Sequence, residues 1–254
     1  GDRVGRYHLL QEIGRGGFSI VYLAEDLRAG GMPVAIKRIY LHSLTPRQVI
    51  DATETFNREI QMLMRLQNTP GVPHFYASFT DTENWYLMME YIQGQTLEEY
   101  QQKQPGGHLS ESETAQIGQS LARILQNLHQ FFGMHIVFRD VKPANIMITP
   151  DRKLYLIDFG ITRIFKHGQR KDTTPLGSPG YAPPEQYGRA QTDGRADIYS
   201  LGVTLQTLHS GRDPLDLAPA AGRDGPVLPR FRRDRLRLCR DQPARQGRRD
   251  SPAG

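Results

Sequence analysis

The stretch FRDVKPANIMI, Phe138 to Ile148, sets an acid, a base and an amide at tight intervals between apolar flanks. Asp140 is followed by Lys142 and then by Asn145, with Pro143 between the last two. Flanks of this kind belong in a core. A short loop carrying three hydrogen-bonding groups between them needs a reason that the rest of the chain must supply.

A little further on, LIDFG (Leu156 to Gly160) puts Asp158 at the end of an apolar run and before Phe159-Gly160, a strand-end turn where a carboxylate can face a metal. Magnesium takes one or two carboxylates together with phosphate oxygens and water, and an amide oxygen can complete the shell. Asp158 and Asn145 supply such ligands. Asp140 is then left to accept a proton from an attacking hydroxyl, while Lys142 neutralises a moving phosphoryl group. That chemistry gives all three loop groups a use.

Upstream, YHLLQEI and SIVYLAE alternate as half-buried strands joined by GRGG, and VAIKRIY follows the turn-rich RAGGMP. Val49, Ala52, Phe56, Ile60 and Leu63 then recur at helical steps. HFYASF and NWYLMMEY read as two more strands around TDTEN, and QGQT reads as a linker. A second helix is expected from Ser110, whose spacing to Glu113 is that of a capping box, with Ile117, Leu121, Ile124, Leu125 and Leu128 as its buried stripe. Strands first and helices later argue a sheet-rich lobe followed by a mainly helical one.

The Gly cluster GRGGFSIV, Gly14 to Val21, lies between two strands. Alone it reads more readily as a hairpin turn than as a phosphate site. A dinucleotide fold needs a helix after the glycines, and a Walker loop needs Lys-Ser or Lys-Thr; neither is present. Lys37 ends the run VAI and could simply snorkel to the surface. The sharper reading pairs it with Glu59, three residues after Phe56, in an ion pair that fixes the ammonium against phosphate oxygens.

The 254 residues suffice for one large two-lobed domain or two small ones. No apolar run approaches the ~18 residues of a membrane span, and charges interrupt the amino end where a signal peptide would be apolar. With a single cysteine, Cys239, no internal disulfide can form. The expectation is a cytoplasmic chain, starting at Gly1 as an excised fragment would; the intact protein could be membrane-anchored through regions not present here. The net charge of +5 resides in residues 211–254, which hold 11 Arg, no Lys and 6 Asp.

The chain resembles the protein kinases, and most closely the bacterial serine/threonine kinases of eukaryotic (Hanks) type. GRGGFSIV, VAIK, Arg58-Glu59, MEY, FRDVKPAN, DFG, GSPGYAPPE and DIYSLG stand in that family's order over residues 14 to 202. The resemblance implies an α+β, two-lobed kinase-like fold. A small antiparallel-sheet lobe with one helix would occupy residues 1–92. A mainly helical larger lobe, its last helices missing, would occupy residues 93–210, and an Arg/Pro/Gly-rich unstructured tail residues 211–254.

It further implies roles at matching positions. Gly14, Gly16 and Ser19 would cover the phosphates of ATP, and Lys37, held by Glu59, would contact them. Val21, Ala35 and Met147 would sandwich the adenine, with Met89 behind it and backbone groups of Glu90 and Ile92 bonded to it. Asp140 would be the catalytic base and Lys142 its phosphate partner. Asn145 and Asp158 would bind Mg2+, with Mn2+ as the second option. Ser178 would orient a Ser or Thr hydroxyl of a protein substrate. Glu185 and Asp197 would be structural. Arg139 would receive a phosphate placed on Thr173 or Thr174.

Two positions depart from the family. Ser19 stands where a third glycine is usual, and Phe138 where histidine is usual, there expected to stack with Leu63, Phe75 and Phe159. After LHSGRDPLDLAP the family's pattern is lost, and residues beyond about Pro219 are expected to be an out-of-frame or truncated reading. Glu185 would then lack its arginine partner, for which Arg245 is a faint candidate. The leading reading is therefore ATP-dependent phosphorylation of Ser or Thr in proteins, including the chain itself. A catalytically impaired nucleotide-binding fragment is the alternative. The Arg-rich tail ranks last as a nucleic-acid binder, since it would give salt-sensitive, unspecific affinity at most. Oligomeric state is left open.

Overall fold

The computed structural model of the chain describes residues 2–17, 19–42, 44–131, 136–159, 178–183 and 193–217. Six strands form one antiparallel sheet: β1 (Arg3–Val4), β2 (Tyr7–Arg15), β3 (Ser19–Asp26), β4 (Met32–Tyr40), β5 (Phe75–Thr80) and β6 (Asn84–Glu90), in the order β1-β2-β3-β4-β6-β5. Alternation along the strands gives the sheet two apolar faces. One carries Tyr7, Ala24, Val34, Ile36, Tyr86 and Met88. The other takes helix α1 (Pro46–Arg65), whose Ala52, Phe56, Ile60 and Leu63 pack on Ile39, Trp85 and Leu87. Phe56 stacks on Trp85 with ring centroids 4.4 Å apart. The five apolar positions that mark α1 in the sequence are the ones turned to the sheet or half-buried beside it.

The second part is built on helices α2 (Leu97–Gln102), α3 (Glu111–His129), α4 (Gly194–Ser210) and α5 (Pro214–Leu217), with a small sheet of β7 (Gln95–Thr96), β8 (Ile146–Ile148) and β9 (Leu154–Leu156). Leu121, Leu125 and Leu128 of α3 are fully buried, and each contributes roughly 1.5–3 kcal/mol by leaving water. Leu201 and Leu208 of α4 belong to the same core as Ile146 and Leu156. Phe159 packs against both this core and the one beneath α1, so the two parts share a hydrophobic contact at the DFG turn. Gly71 closes the same junction. Its φ is +81°, its carbonyl accepts from Leu156 N at 2.8 Å, and a Cβ there would lie 2.4 Å from Ile124 Cδ1.

Three local readings need correction. The box at Ser110 is half formed: Ser110 Oγ accepts from Glu113 N at 3.2 Å, while the Glu113 carboxylate turns to Tyr100 and Arg152, each at 2.6 Å. A charged guanidinium outcompetes a backbone amide for it. The complete capping box is at Thr96 and Glu99, starting on the last residue of the QGQT stretch that reads as a linker. Order also continues past Ser210. Gly211 (φ +71°) caps α4, Asp213 Oδ1 accepts from Leu215 N at 2.8 Å, and Pro214 opens the short α5. The rest of the Arg-rich segment lies outside the described residues.

Candidate active site

The glycine-rich turn joins β2 to β3, with Gly14 opposite Val21 and Gly16 N donating to Ser19 O at 2.8 Å. Ser19 is buried at the start of β3. Strand register then fixes what shares a face. Val21 lies opposite Lys37, Lys37 opposite Leu87, and Ala35 opposite Met89. Directly paired residues project to the same side and side chains alternate along each strand. Val21, Ala35, Lys37, Leu87 and Met89 therefore occupy one face of the sheet. Lys37, Leu87 and Met89 also line a cavity of about 30 Å3 with Leu63, Phe75, Asp158 and Phe159.

Glu90 ends β6. Its N–H donates to His74 O at 2.7 Å and its carboxylate accepts from His74 N at 3.0 Å, which fixes the chain where the sheet hands over to the helical part. Ile92 beyond it is buried. Gly94 then runs directly over β8, where a Cβ would stand 2.4 Å from Ile148 O. Thr96 pairs with Met147. The strand carrying Met147 is thus held within a few residues of Ile92.

Lys37 Nζ bonds Asp158 Oδ1 at 3.0 Å. The Lys37 side chain is 11% exposed, an ammonium so placed needs a carboxylate, and Asp158 at the β9 end supplies one.

The FRDVKPAN loop brings its polar groups together. Asn145 Nδ2 donates to Asp140 Oδ2 at 2.9 Å and to Asp140 O at 3.0 Å. Lys142 Nζ lies 3.5 Å from Asp140 Oδ2 and donates to Ser178 Oγ at 2.7 Å. Ser178 Oγ in turn donates to Asp140 Oδ1 at 2.8 Å. Ile157 N donates to Asn145 O at 3.0 Å, tying the loop to the residue before Asp158. Asn145 spends its amide nitrogen on Asp140, so Oδ1 is the atom it offers to a cation. That amide oxygen and the Asp158 carboxylate form the mixed donor set that suits a hard divalent ion bound partly through phosphate.

What holds the loop is Asp197, in the first turn of α4 and fully buried. Its Oδ1 accepts from Arg139 N at 2.6 Å and its Oδ2 from Phe138 N at 2.8 Å and His129 Nε2 at 2.9 Å. Arg139 sits at φ +69°, a backbone conformation that costs a non-glycine residue free energy. The carboxylate bonds on either side of that peptide fix it, and Asp140 follows directly. Thr204 Oγ1 adds a bond to Val141 O at 3.1 Å, and Ser200 Oγ one to Tyr181 O at 2.8 Å, near Ser178. Phe138 is buried and meets Phe159 edge-on at 5.1 Å. Phe159 continues into the cluster of Leu63 and Phe75, so an aromatic fills the histidine position of the stack.

The protein kinase domain family matches residues 7–223 of this chain. The chain belongs to the protein kinase family. Among curated relatives, serine/threonine-protein kinase B of Synechocystis is 33% identical over 224 residues, covering 84% of this chain and 38% of that protein. Serine/threonine-protein kinase PrkC of Bacillus subtilis is 34% identical over 218 residues, covering 85% of this chain and 32% of that one. The chain therefore spans well under half the length of these relatives. Among solved structures, one described as the PpkA-294 apo form superposes with a TM-score of 0.67 at 27% identity, covering 82% of this chain and 76% of its own. ATP use and a divalent metal come with a kinase domain.

Sequence reasoning missed two features of this kinase site. His129 carries no motif, and its only signal is a histidine in the last turn of a helix, where a cation is favoured. The link from Lys37 to Asp158 could not be foreseen from motif order alone. Gly160, Thr173, Thr174 and Glu185 lie outside the described residues. Among the described residues no helix is long and apolar enough to cross a membrane.

Proposed function

We propose that this domain transfers the γ-phosphoryl group of ATP to Ser and Thr hydroxyls of proteins, itself included, with Mg2+ or Mn2+ as the metal. The observation that carries the reading is Ser178. Its hydroxyl lies between a carboxylate and an ammonium, 2.8 Å from Asp140 Oδ1 and 2.7 Å from Lys142 Nζ. The same pair of groups would accept the proton of a substrate hydroxyl and neutralise the transferred phosphoryl, with Ser178 orienting the incoming hydroxyl.

In this account the P–O bond from the γ-phosphorus to the β,γ-bridging oxygen breaks, a bond from the substrate oxygen to phosphorus forms, and the hydroxyl proton passes to Asp140. ADP leaves. Positioning and charge neutralisation supply most of the rate. Lys37 would reach the α- and β-phosphates, Gly14, Gly16 and Ser19 would cover them, and Val21, Ala35, Met89 and Met147 would enclose the base, with Glu90 and Ile92 offering backbone bonds. Asn145 and Asp158 would hold the metal, which neutralises the phosphate charge when bound. Arg139 would receive a phosphate on Thr173 or Thr174. The division at residues 92 and 93 into two lobes is part of the same proposal.

The alternative reading is a nucleotide-binding domain impaired in turnover. Single-turnover transfer from Mg-ATP to a generic protein substrate separates the two. Transfer by the native chain and none by Asp140→Asn supports the kinase reading. Nucleotide binding without transfer in both supports the impaired one.

A further inference from the structure

We infer that the Glu90 carboxylate is a positioning group for the base of the nucleotide: it takes the place of its own backbone carbonyl in the sheet and so reserves that carbonyl for the ligand. The inference rests on the proposed kinase reading, in which the Glu90 backbone bonds adenine, and adds a side-chain role to it. Phe75 and Met89 are the last paired residues of β5 and β6. The next residues across that ladder are His74 and Glu90. At such a position an antiparallel pair exchanges two bonds, each N–H donating to the other residue's carbonyl. Half of the exchange is made, since Glu90 N donates to His74 O at 2.7 Å. The other half is diverted, because His74 N donates to Glu90 Oε2 at 3.0 Å.

The diversion leaves Glu90 O without the donor that the ladder would have given it. Both residues are half-buried, and a carbonyl so placed calls for a partner. Adenine offers one, because its 6-amino group donates, whereas guanine carries the acceptor O6 at the same place. On its other edge Glu90 stands opposite Val34, which keeps it in register. The Tyr76 ring lies 5.1 Å from that of His74, and its phenol is pushed up by burial and then by the Glu90 charge, which places the carboxylate beside β5. Without that carboxylate the His74 N–H needs another acceptor, and Glu90 O directly opposite completes the ladder pair. The carbonyl is then spent on β5 and lost to the base.

The experiment titrates Mg-ATP and Mg-GTP into the native chain, Glu90→Gln, Glu90→Ala and the Glu90→Ala/His74→Pro double variant, with the thermal midpoint followed on the same samples. Glu90→Ala is expected to weaken ATP about three- to tenfold, the scale of one hydrogen bond, and GTP by less than about twofold, so the preference for ATP falls. Glu90→Gln keeps an accepting oxygen and should restore most of that preference. His74→Pro removes the N–H that would capture the carbonyl, and proline is tolerated at the start of an edge strand. The double variant should therefore regain ATP affinity over Glu90→Ala. An unchanged ratio of ATP to GTP affinity in Glu90→Ala overturns the inference. So does a loss that neither Glu90→Gln nor the double variant reverses, since that pattern is general loosening of the strand end. Binding is read without turnover, so the two readings fail separately. A native chain that prefers ATP to GTP and never transfers phosphate overturns the kinase reading alone, and one that binds neither nucleotide overturns both.

Discussion

Replacing Asp197 with asparagine tests how the catalytic loop is held. The substitution keeps shape and removes the charge from a side chain with no exposed surface. Three N–H groups now converge on its two oxygens, at 2.6, 2.8 and 2.9 Å. The amide of asparagine keeps one accepting oxygen and turns an NH2 toward donors, so at least one buried donor loses its partner. Losing a bond to a charged acceptor costs about 1.5–3 kcal/mol and an orphaned donor about 1–3 kcal/mol, together about 2.5–6 kcal/mol. Arg139, at φ +69°, can relax once released, and such backbone strain returns about 1 kcal/mol. The net loss of about 1.5–5 kcal/mol is a large share of the roughly 5–15 kcal/mol of a typical domain. Urea unfolding measures it, followed by far-UV circular dichroism and by the fluorescence of Trp85, the single tryptophan of the chain. A variant within about 1 kcal/mol of the native chain, on the scale of an ordinary neutral bond, and with undiminished turnover, would refute the assignment of Asp197 as the anchor.

Gly94→Ala drives a Cβ to 2.4 Å from Ile148 O, backbone against backbone. It should part β7 from β8 and weaken ATP several-fold, read by nucleotide titration; unchanged affinity and thermal midpoint would dismiss that close approach. Burial pushes the Glu113 carboxyl upward, but bonds from Tyr100 and Arg152 outweigh it and leave the group below its ordinary value of 4.5. A carboxyl lowered on folding stabilises above its unfolded value and loses that contribution as pH falls from there through the lower folded value. Arg152 is 46% exposed, so screening limits the effect to about 1 kcal/mol or less. Glu113→Gln should flatten the stability profile in that acid window, and parallel profiles for the two chains would contradict the linkage.

Residue patterns reveal the elements far better than their partnerships. Period-two alternation places β2, β3 and β4, and the Val49 to Leu63 stripe places α1, because burial on one face imprints a repeat on the sequence. The FRDVKPAN loop is legible for a different reason: its polar groups bond within a few residues, as Asn145 does to Asp140. Partners distant in sequence leave no such imprint. Lys37 bonds Asp158, 121 residues further on, a contact made by three-dimensional proximity that spacing along the chain does not record. Thr96 and Glu99 form the full capping box, while Glu113 is diverted by Arg152, which sits at φ +66° in the turn between β8 and β9. His129 is the extreme case, since its partner Asp197 lies far along the chain.

The most direct measurement of the central claim is a single-turnover assay with γ-labelled ATP and magnesium, in which nucleotide binding and phosphate transfer are followed on the same samples. The native chain is predicted to bind ATP and place label on Ser or Thr. Asp140→Asn should still bind and transfer nothing, and Asp158→Asn should lose metal-dependent binding and transfer together. Equal transfer by Asp140→Asn and the native chain would contradict the account.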